Sequence, residues 1–323
     1  MSNFAKPTLV VSKCLGFAAC RWNGLVIADD CVDRLKSYVN FLPVCAEVEI
    51  GLDVPRDPIR VVSQNGELRL VQPSTGKDVT GEMKRFSEGY LSSVGAVDGF
   101  ILKGRSPSCG IKDVKVYPGT GKVAAASKSA GFFGGKALEM FSDLPIEEEG
   151  RLTNFKIREH FLTRIFALAR LRGVIASGAM RELVRFQSDN KLLLMACNQT
   201  EMRVLGRIVA NHEKRPFAEA AADYETHFRR ALAKPARVPS NINVLMHALG
   251  YFSEELNAKE KAFFLDSLEK YRSDRIPLSA VTSILRAWIV RFDNAYLMQQ
   301  TFFDPYPEEL VEVTDSGKGR EWG

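Results

Sequence analysis

Three of the six cysteines in this sequence share one setting, in which an apolar run ends, a loop begins and a thiol follows. Leu9-Val10-Val11 leads into Ser12-Lys13-Cys14, and Phe41-Leu42-Pro43-Val44 leads into Cys45. Phe100-Ile101-Leu102 leads into Lys103-Gly104-Arg105-Ser106-Pro107-Ser108-Cys109-Gly110. Apolar runs this short read as buried strands, and open α/β sheets place their chemistry in the loops that leave the carboxyl ends of strands. If the three strands are neighbours in a parallel sheet, the three sulfurs converge on one rim. Three thiolates with no fourth protein ligand suit zinc with an open position, or an iron–sulfur cluster with one unliganded iron. An open iron is a Lewis acid with a preference for sulfur. Around Cys109, the charge of Arg105 and the hydroxyls of Ser106 and Ser108 favour thiolate over thiol. Glu47, two residues from Cys45, is placed to work as an acid or base beside a cysteine-bound metal; on its own it would read as a solvated surface charge. Arg56, in the irregular stretch 54–58, is free to face an anion.

The elements that must position these groups follow from periodicity. Asp30 to Asn40 reads as an amphipathic helix, with Cys31 a packing residue near its start. Residues 59–64 and 67–72 alternate about Asn65-Gly66, which predicts a β-hairpin. A helix begins at Asp78-Val79-Thr80 and carries Met83, Phe86, Tyr90, Leu91 and Val94 at helical spacing, then returns the chain to the strand at 100–102. Phe132 to Met140 is a further helix, and Pro145 to Gly150 reads as an acidic hinge. From Leu152 the texture becomes helical throughout: one helix to about Gly173, a tract over 179–211 broken near Asn198, and four more over 223–233, 241–252, 257–272 and 277–292. The expected fold is an α/β N-terminal domain with a Rossmann-like, mostly parallel sheet, followed by an all-α C-terminal domain. The boundaries expected are 1–150, 151–306 and a loosely ordered tail over 307–323.

With 46% hydrophobic and 26% charged residues, the composition is that of an ordinary globular chain. No apolar run approaches the roughly 20 residues that span a bilayer, and the first residues lack the basic-then-apolar grammar of a secretory signal. A cytoplasmic location is therefore expected, where disulfides are rare and metal or catalytic cysteines common. Charge is unevenly divided: residues 1–150 hold 18 basic and 18 acidic side chains, whereas 151–306 hold 24 against 16. A positive field confined to one half points to a polyanionic partner there.

Together the segments VSKCLG (11–16), CRWNG (20–24), PVCAEVEIGL (43–52), GKDVT (76–80) and LKGRSPSCG (102–110) resemble the signature motifs of the thiouracil desulfidase family. The resemblance implies a 4Fe–4S cluster held by Cys14, Cys45 and Cys109, with Glu47 and Ser106 as catalytic side chains. It also implies hydrolytic removal of sulfur without net redox change. Arg21, Arg105 and Ser108 are the expected substrate-binding residues. The sequence departs from the family pattern at Ala46, where relatives have proline, in the single leucine before Gly16, and at Cys20, where many relatives have an aliphatic residue. Residues 186–211 and 243–252 are similar to the helical domain often fused to this family. Relatives there frequently carry histidines near the positions of Gln187 and Cys197, and their absence here argues against a metal site in that domain. Cys197 and His247 are expected to be packed. Two-domain members of this kind resemble desulfidases acting on 4-thiouridine in tRNA, and Arg185, Lys191, Arg203 and Arg207 would then meet RNA phosphates. Two other readings stand beside this one. The first is a desulfidase of free thiouracil or a thiouridine nucleotide. The second is a non-catalytic RNA-binding or sensor protein whose cysteines hold structural zinc.

Overall fold

The computed structural model describes residues 4–312. Up to the middle of the chain, the elements run β1 (Thr8–Ser12), α1 (Asp30–Leu35), β2 (Asn40–Val44), α2 (Ala46–Glu49), β3 (Arg60–Gln64), β4 (Glu67–Gln72) and β5 (Lys77–Asp78). They continue as α3 (Thr80–Ser93), β6 (Gly99–Leu102), β7 (Val114–Tyr117), β8 (Ser127–Ser129), α4 (Phe132–Met140) and β9 (Ile146–Glu148). Helices follow: α5 (Phe155–Ser177), α6 (Met180–Asp189), α7 (Lys191–Cys197), α8 (Gln199–Ala210), α9 (Phe217–Ala231), α10 (Val238–Gly250), α11 (Ala258–Arg272), α12 (Leu278–Arg291) and α13 (Ala295–Met298). The chain forms two compact units. One holds the residues up to Ala169 together with the segment from Pro307, and the other holds Arg170–Tyr306.

The first unit is α/β. A four-stranded sheet in the order β2-β1-β6-β9 is parallel throughout. Its central strands are buried on both faces, with Leu9, Val10, Val11, Phe100, Ile101 and Leu102 all shielded from solvent, the pattern of a sheet covered on each side. A second sheet, in the order β5-β4-β3-β7-β8, contains the hairpin of β3 and β4. Asn65 and Gly66, at φ 51° and 83°, supply the two left-handed residues that its tight turn requires.

Register brings the cysteine-bearing loops together. Ser12 lies opposite Val44 and Val11 opposite Ile101, so β1, β2 and β6 end nearly flush. Adjacent strands are spaced about 4.8 Å apart, and the loops carrying Cys14, Cys45 and Cys109 therefore leave within about 10 Å of one another.

The segment expected as an acidic hinge is instead β9, paired in parallel with β6 through Phe100–Ile146, Ile101–Glu147 and Leu102–Glu148. Its carboxylates do not reach for water. Glu148 is buried and accepts the Ile111 N–H at 2.9 Å, and Glu149 accepts the Gly104 N–H at 2.6 Å and pairs with Lys103. Acidic residues mark a solvated loop only when nothing in the fold offers them donors.

The second unit is all helical, packed on Phe252, Phe264, Leu285, Trp288 and their neighbours. The tract over 179–211 breaks twice. Asn198 caps α8 by accepting from the Thr200 and Glu201 N–H groups. The second break, at Asn190, was hidden by continuous apolar spacing. There the Asn190 amide donates to the Phe186 carbonyl at 2.8 Å while its oxygen accepts from Thr301 at 2.8 Å. Of the stretch expected as a loose tail, residues 307–312 are described: Glu308–Leu310 makes a 3₁₀ turn, Leu310 is buried, and Arg158 donates to the Glu312 carbonyl at 2.8 Å. Residues 313–323 lie outside the described residues. His247 is exposed on α10 rather than packed, because its neighbours Leu245 and Ala248 take the inward face. Cys197 is half-buried at the end of α7. No helix among the described residues is long and apolar enough to cross a membrane.

Candidate active site and thiol cluster

Glu47 occupies the first turn of α2, directly after Cys45 ends the strand exit. Its side chain is only 13% exposed and is held from two sides. Arg56, itself 5% exposed, donates to Oε2 through Nε at 3.0 Å and Nη2 at 2.6 Å. The Ser108 hydroxyl donates to Oε1 at 2.6 Å. The carboxylate is thus a buried, oriented group. The anion that Arg56 faces is Glu47 itself, and the remaining donors of its fork reach the Cys20 carbonyl at 3.1 Å and the Asp53 carbonyl at 3.1 Å.

Ser106 does not touch Glu47; Ser108 stands between them. Ser106 Oγ lies 2.9 Å from Ser108 Oγ and accepts the Ser108 and Cys109 N–H groups at 3.3 and 3.2 Å. Since Ser108 gives its proton to Glu47, it takes one from Ser106. The result is a one-way chain of donors from Ser106 through Ser108 to Glu47. Ser108 is fully buried and its hydroxyl is spent in this chain.

The loop that carries both serines and Cys109 is held rigidly. Its own turn closes with Gly110 N–H to the Ser106 carbonyl at 2.9 Å. The first N–H groups of α4, otherwise without helical partners, donate to the loop: Phe133 and Gly134 to the Ser108 carbonyl at 2.9 and 3.0 Å, and Phe132 to that of Pro107 at 3.2 Å. Glycine is required for this approach, because a Cβ at position 134 would sit 2.3 Å from the Cys109 carbonyl oxygen. Glu148 and Glu149 fasten the two ends of the same loop, at Ile111 and Gly104.

Of the arginines expected at the site, Arg105 is exposed, with a left-handed backbone (φ 60°), and Arg21 is half-buried in the turn after Cys20. Arg185, Lys191, Arg203 and Arg207 are all exposed on helices of the second unit. Arg203 and Arg207 lie one turn apart on α8, and Arg185 makes a long ion pair with Asp189 at 3.9 Å.

Four thiols belong to the rim. Cys20, beyond the predicted three, interacts through its thiol with Cys14 and Cys45. The Cys45 thiol also approaches the Cys20 carbonyl at 3.8 Å. Cys109 is buried, with the Ser108 hydroxyl 3.8 Å from its sulfur and the Ser12 hydroxyl also interacting with it. Ser12, a buried hydroxyl ending β1 that also accepts the Lys103 N–H at 2.8 Å, is a site residue the sequence reading missed. Its only signal was a polar residue closing an otherwise apolar run.

The expectation that Arg105 and the serines make Cys109 a thiolate does not hold for the protein alone. Burial pushes the Cys109 thiol up to about 12, and Glu47 nearby adds to the rise. The hydrogen bond with Cys20 raises Cys45 well above the ordinary thiol range, and burial raises it further. Arg105, exposed, leaves the buried sulfur with a carboxylate rather than a cation as its charged neighbour. A metal taken up here must displace these protons.

As a donor set, soft thiols without imidazole fit iron–sulfur chemistry. Among the described residues no three His, Cys, Asp or Glu side chains are grouped tightly enough to hold a single metal ion. A 4Fe–4S cluster would ask less of convergence, since each of the three thiolates would bind a different iron.

A family model described as 2-thiouracil desulfurase matches residues 9–149, and one described as DUF1722, a protein of unknown function, matches 191–307. The protein YbgA of Escherichia coli (strain K12) is 30% identical, over 48% of this chain and 93% of its own length. YbbK of Bacillus subtilis (strain 168) is 31% identical, over 38% of this chain and 91% of its own. A solved structure described as the [4Fe-4S]-dependent thiouracil desulfidase TudS is 29% identical, over 46% of this chain and 93% of that one, at a TM-score of 0.36. With its three cysteine-bearing signature segments following adjacent strands of one sheet, the chain belongs to the 2-thiouracil desulfurase family, in a form that continues into a DUF1722 region.

Proposed function

We propose that this protein removes sulfur from 4-thiouridine in tRNA by hydrolysis without net redox change, giving uridine and hydrosulfide, with a 4Fe–4S cluster held by Cys14, Cys45 and Cys109. The observation that carries this reading is the placement of three strand-exit thiols beside a buried carboxylate wired to two serines. When bound, the cluster supplies an iron that these three cysteines leave open, a Lewis acid for the substrate's sulfur. Glu47 takes a proton from the water that attacks the ring carbon, and Arg56 fixes the oxygen turned away from that water. The serine chain gives that proton a route outward once both hydroxyls turn round, the protonated Glu47 then donating to Ser108 and Ser108 to Ser106. Water's oxygen ends on the carbon, the carbon–sulfur bond breaks, and sulfur departs as hydrosulfide.

Beside the thiols, Trp22, Leu25 and Val26 are exposed on the turn that follows Cys20, the kind of apolar surface on which a nucleobase stacks. Arg21 and Arg105 are the nearby cations for the sugar–phosphate. Residues 1–150 would carry the chemistry, and residues 151–306 the RNA, with Arg185, Lys191, Arg203 and Arg207 neutralising phosphates around an extruded base.

The test is anaerobic incubation of the reconstituted protein with thiolated tRNA and, separately, with free 4-thiouracil, following thiocarbonyl absorbance and sulfide. Faster turnover of tRNA, weakening steeply with salt, is the expected result. Equal turnover of the free base at every salt concentration would instead favour the free-base enzyme. Sulfide from neither substrate would leave a non-catalytic role.

A further inference from the structure

Among the six cysteines, Cys20 alone joins the predicted ligands. Cys31 lies apart, lining a small cavity with Arg34, Leu35, Arg158 and Leu162, and Cys197 ends a helix of the second unit. Cys20 is 7% exposed, the Cys45 thiol approaches its carbonyl at 3.8 Å, and its own thiol interacts with those of Cys14 and Cys45. The backbone delivers it there. Phe17 and Ala18 N–H both donate to the Lys13 carbonyl, at 3.2 and 2.9 Å, and Cys20 N–H donates to Ala18 at 2.9 Å. The chain therefore folds back on itself within seven residues, with Cys14 and Cys20 on the two arms of one turn. The Cys20 carbonyl is clamped by two N–H groups of Arg56, the same guanidinium that orients Glu47.

A buried cysteine usually serves as a small apolar residue. This one is placed differently, because it neighbours two thiols that ligation would turn into iron-bound thiolates. We propose that Cys20 is a fourth thiol of the centre, which in the resting protein holds the iron corner left open by Cys14, Cys45 and Cys109 and yields it to an incoming sulfur ligand. The inference rests on the cluster reading above. In the exchange the bond from Cys20 sulfur to iron breaks, the bond from the incoming sulfur to iron forms, and the released Cys20 thiolate takes one proton from water. No electron is transferred. A corner occupied by Cys20 about nine-tenths of the time binds an outside ligand about tenfold more weakly than an open one.

The experiment compares full-length wild type, Cys20→Ala and the near-isosteric Cys20→Ser after anaerobic reconstitution. Iron content and the electron paramagnetic resonance of the reduced cluster are read before and during titration with sodium hydrosulfide. The expected result is full iron in all three, spectra of the variants that differ from wild type before titration and converge at saturation, and hydrosulfide affinity about tenfold tighter in the variants. Identical spectra and affinities would reduce Cys20 to a packing residue. Loss of the cluster from both variants would also overturn the proposal, since Cys20 would then be a permanent ligand. A wild type that takes up no cluster strikes the cluster reading itself, and is recognised by the wild-type iron content alone.

Discussion

Replacing Arg56 by methionine keeps most of the side-chain volume and removes every hydrogen bond the guanidinium makes. Two of these go to Glu47, at 2.6 and 3.0 Å, two to the Cys20 carbonyl at 3.1 Å, and one to the Asp53 carbonyl at 3.1 Å. The pair is buried, so the carboxylate left behind has lost its counter-charge without gaining water. Removing one partner of such a pair costs about 3–5 kcal/mol, against the 0–1 kcal/mol typical of an exposed pair. At roughly 2–4 °C per kcal/mol for a unit of this size, the melting temperature should fall by roughly 6–20 °C. Trp22 fluorescence in a Trp288→Phe, Trp322→Phe background reports the unit concerned. Arg56→Lys should recover only part of the loss, because a single ammonium cannot bridge Glu47 and the Cys20 carbonyl as a planar fork does. In a double-mutant cycle, Glu47→Gln should remove much of the penalty of Arg56→Met. A cost below about 1 kcal/mol, or strict additivity with Glu47→Gln, would refute the view that the pair acts as a buried, coupled unit.

Ser108→Ala cuts the chain between Ser106 and Glu47 and should lower kcat by about 10²-fold or more with little change in KM; steady-state kinetics on thiolated tRNA check this, and an unchanged kcat would remove the serine chain from the mechanism. Gly134→Ala would drive a Cβ to 2.3 Å from the Cys109 carbonyl, so the reconstituted variant should bind less iron and melt earlier by the equivalent of roughly 1–3 kcal/mol. Glu148 has its pKa raised, chiefly by burial: its contribution to stability should be greatest below the unfolded value and fall as pH rises through the raised folded value. Glu148→Gln should flatten that part of the stability–pH curve, measured by urea unfolding from pH 4 to 8, whereas Glu148→Ala should cost about 1–3 kcal/mol by orphaning the Ile111 N–H. Arg203→Gln with Arg207→Gln should reduce the slope of log affinity for tRNA against log salt by about 1–2, and an unchanged slope would move the RNA surface elsewhere.

The residue order alone determined much of this protein. Leu9-Val10-Val11 and Phe100-Ile101-Leu102 are too apolar and too short to be anything but buried strands, and each is followed by its thiol loop. Asn65-Gly66 made the β3–β4 hairpin legible, since few other pairs accept two positive φ angles. Helical spacing marked the second unit, and the motifs of residues 11–110 marked the family. These are local signals, carried by neighbours in the chain or by burial periodicity. The tertiary structure decided what lies across from what. That Arg56 pairs with Glu47, that Ser108 rather than Ser106 meets the carboxylate, and that Cys20 joins Cys14 and Cys45 depend on loops from different strand ends being brought face to face. The same is true of β9, whose acidic residues read as solvated until the loop after β6 offered them N–H donors, and of Cys109, whose thiol burial pushes up. Composition reports how much of a residue must be hidden; only the packed chain specifies the partner that meets it there.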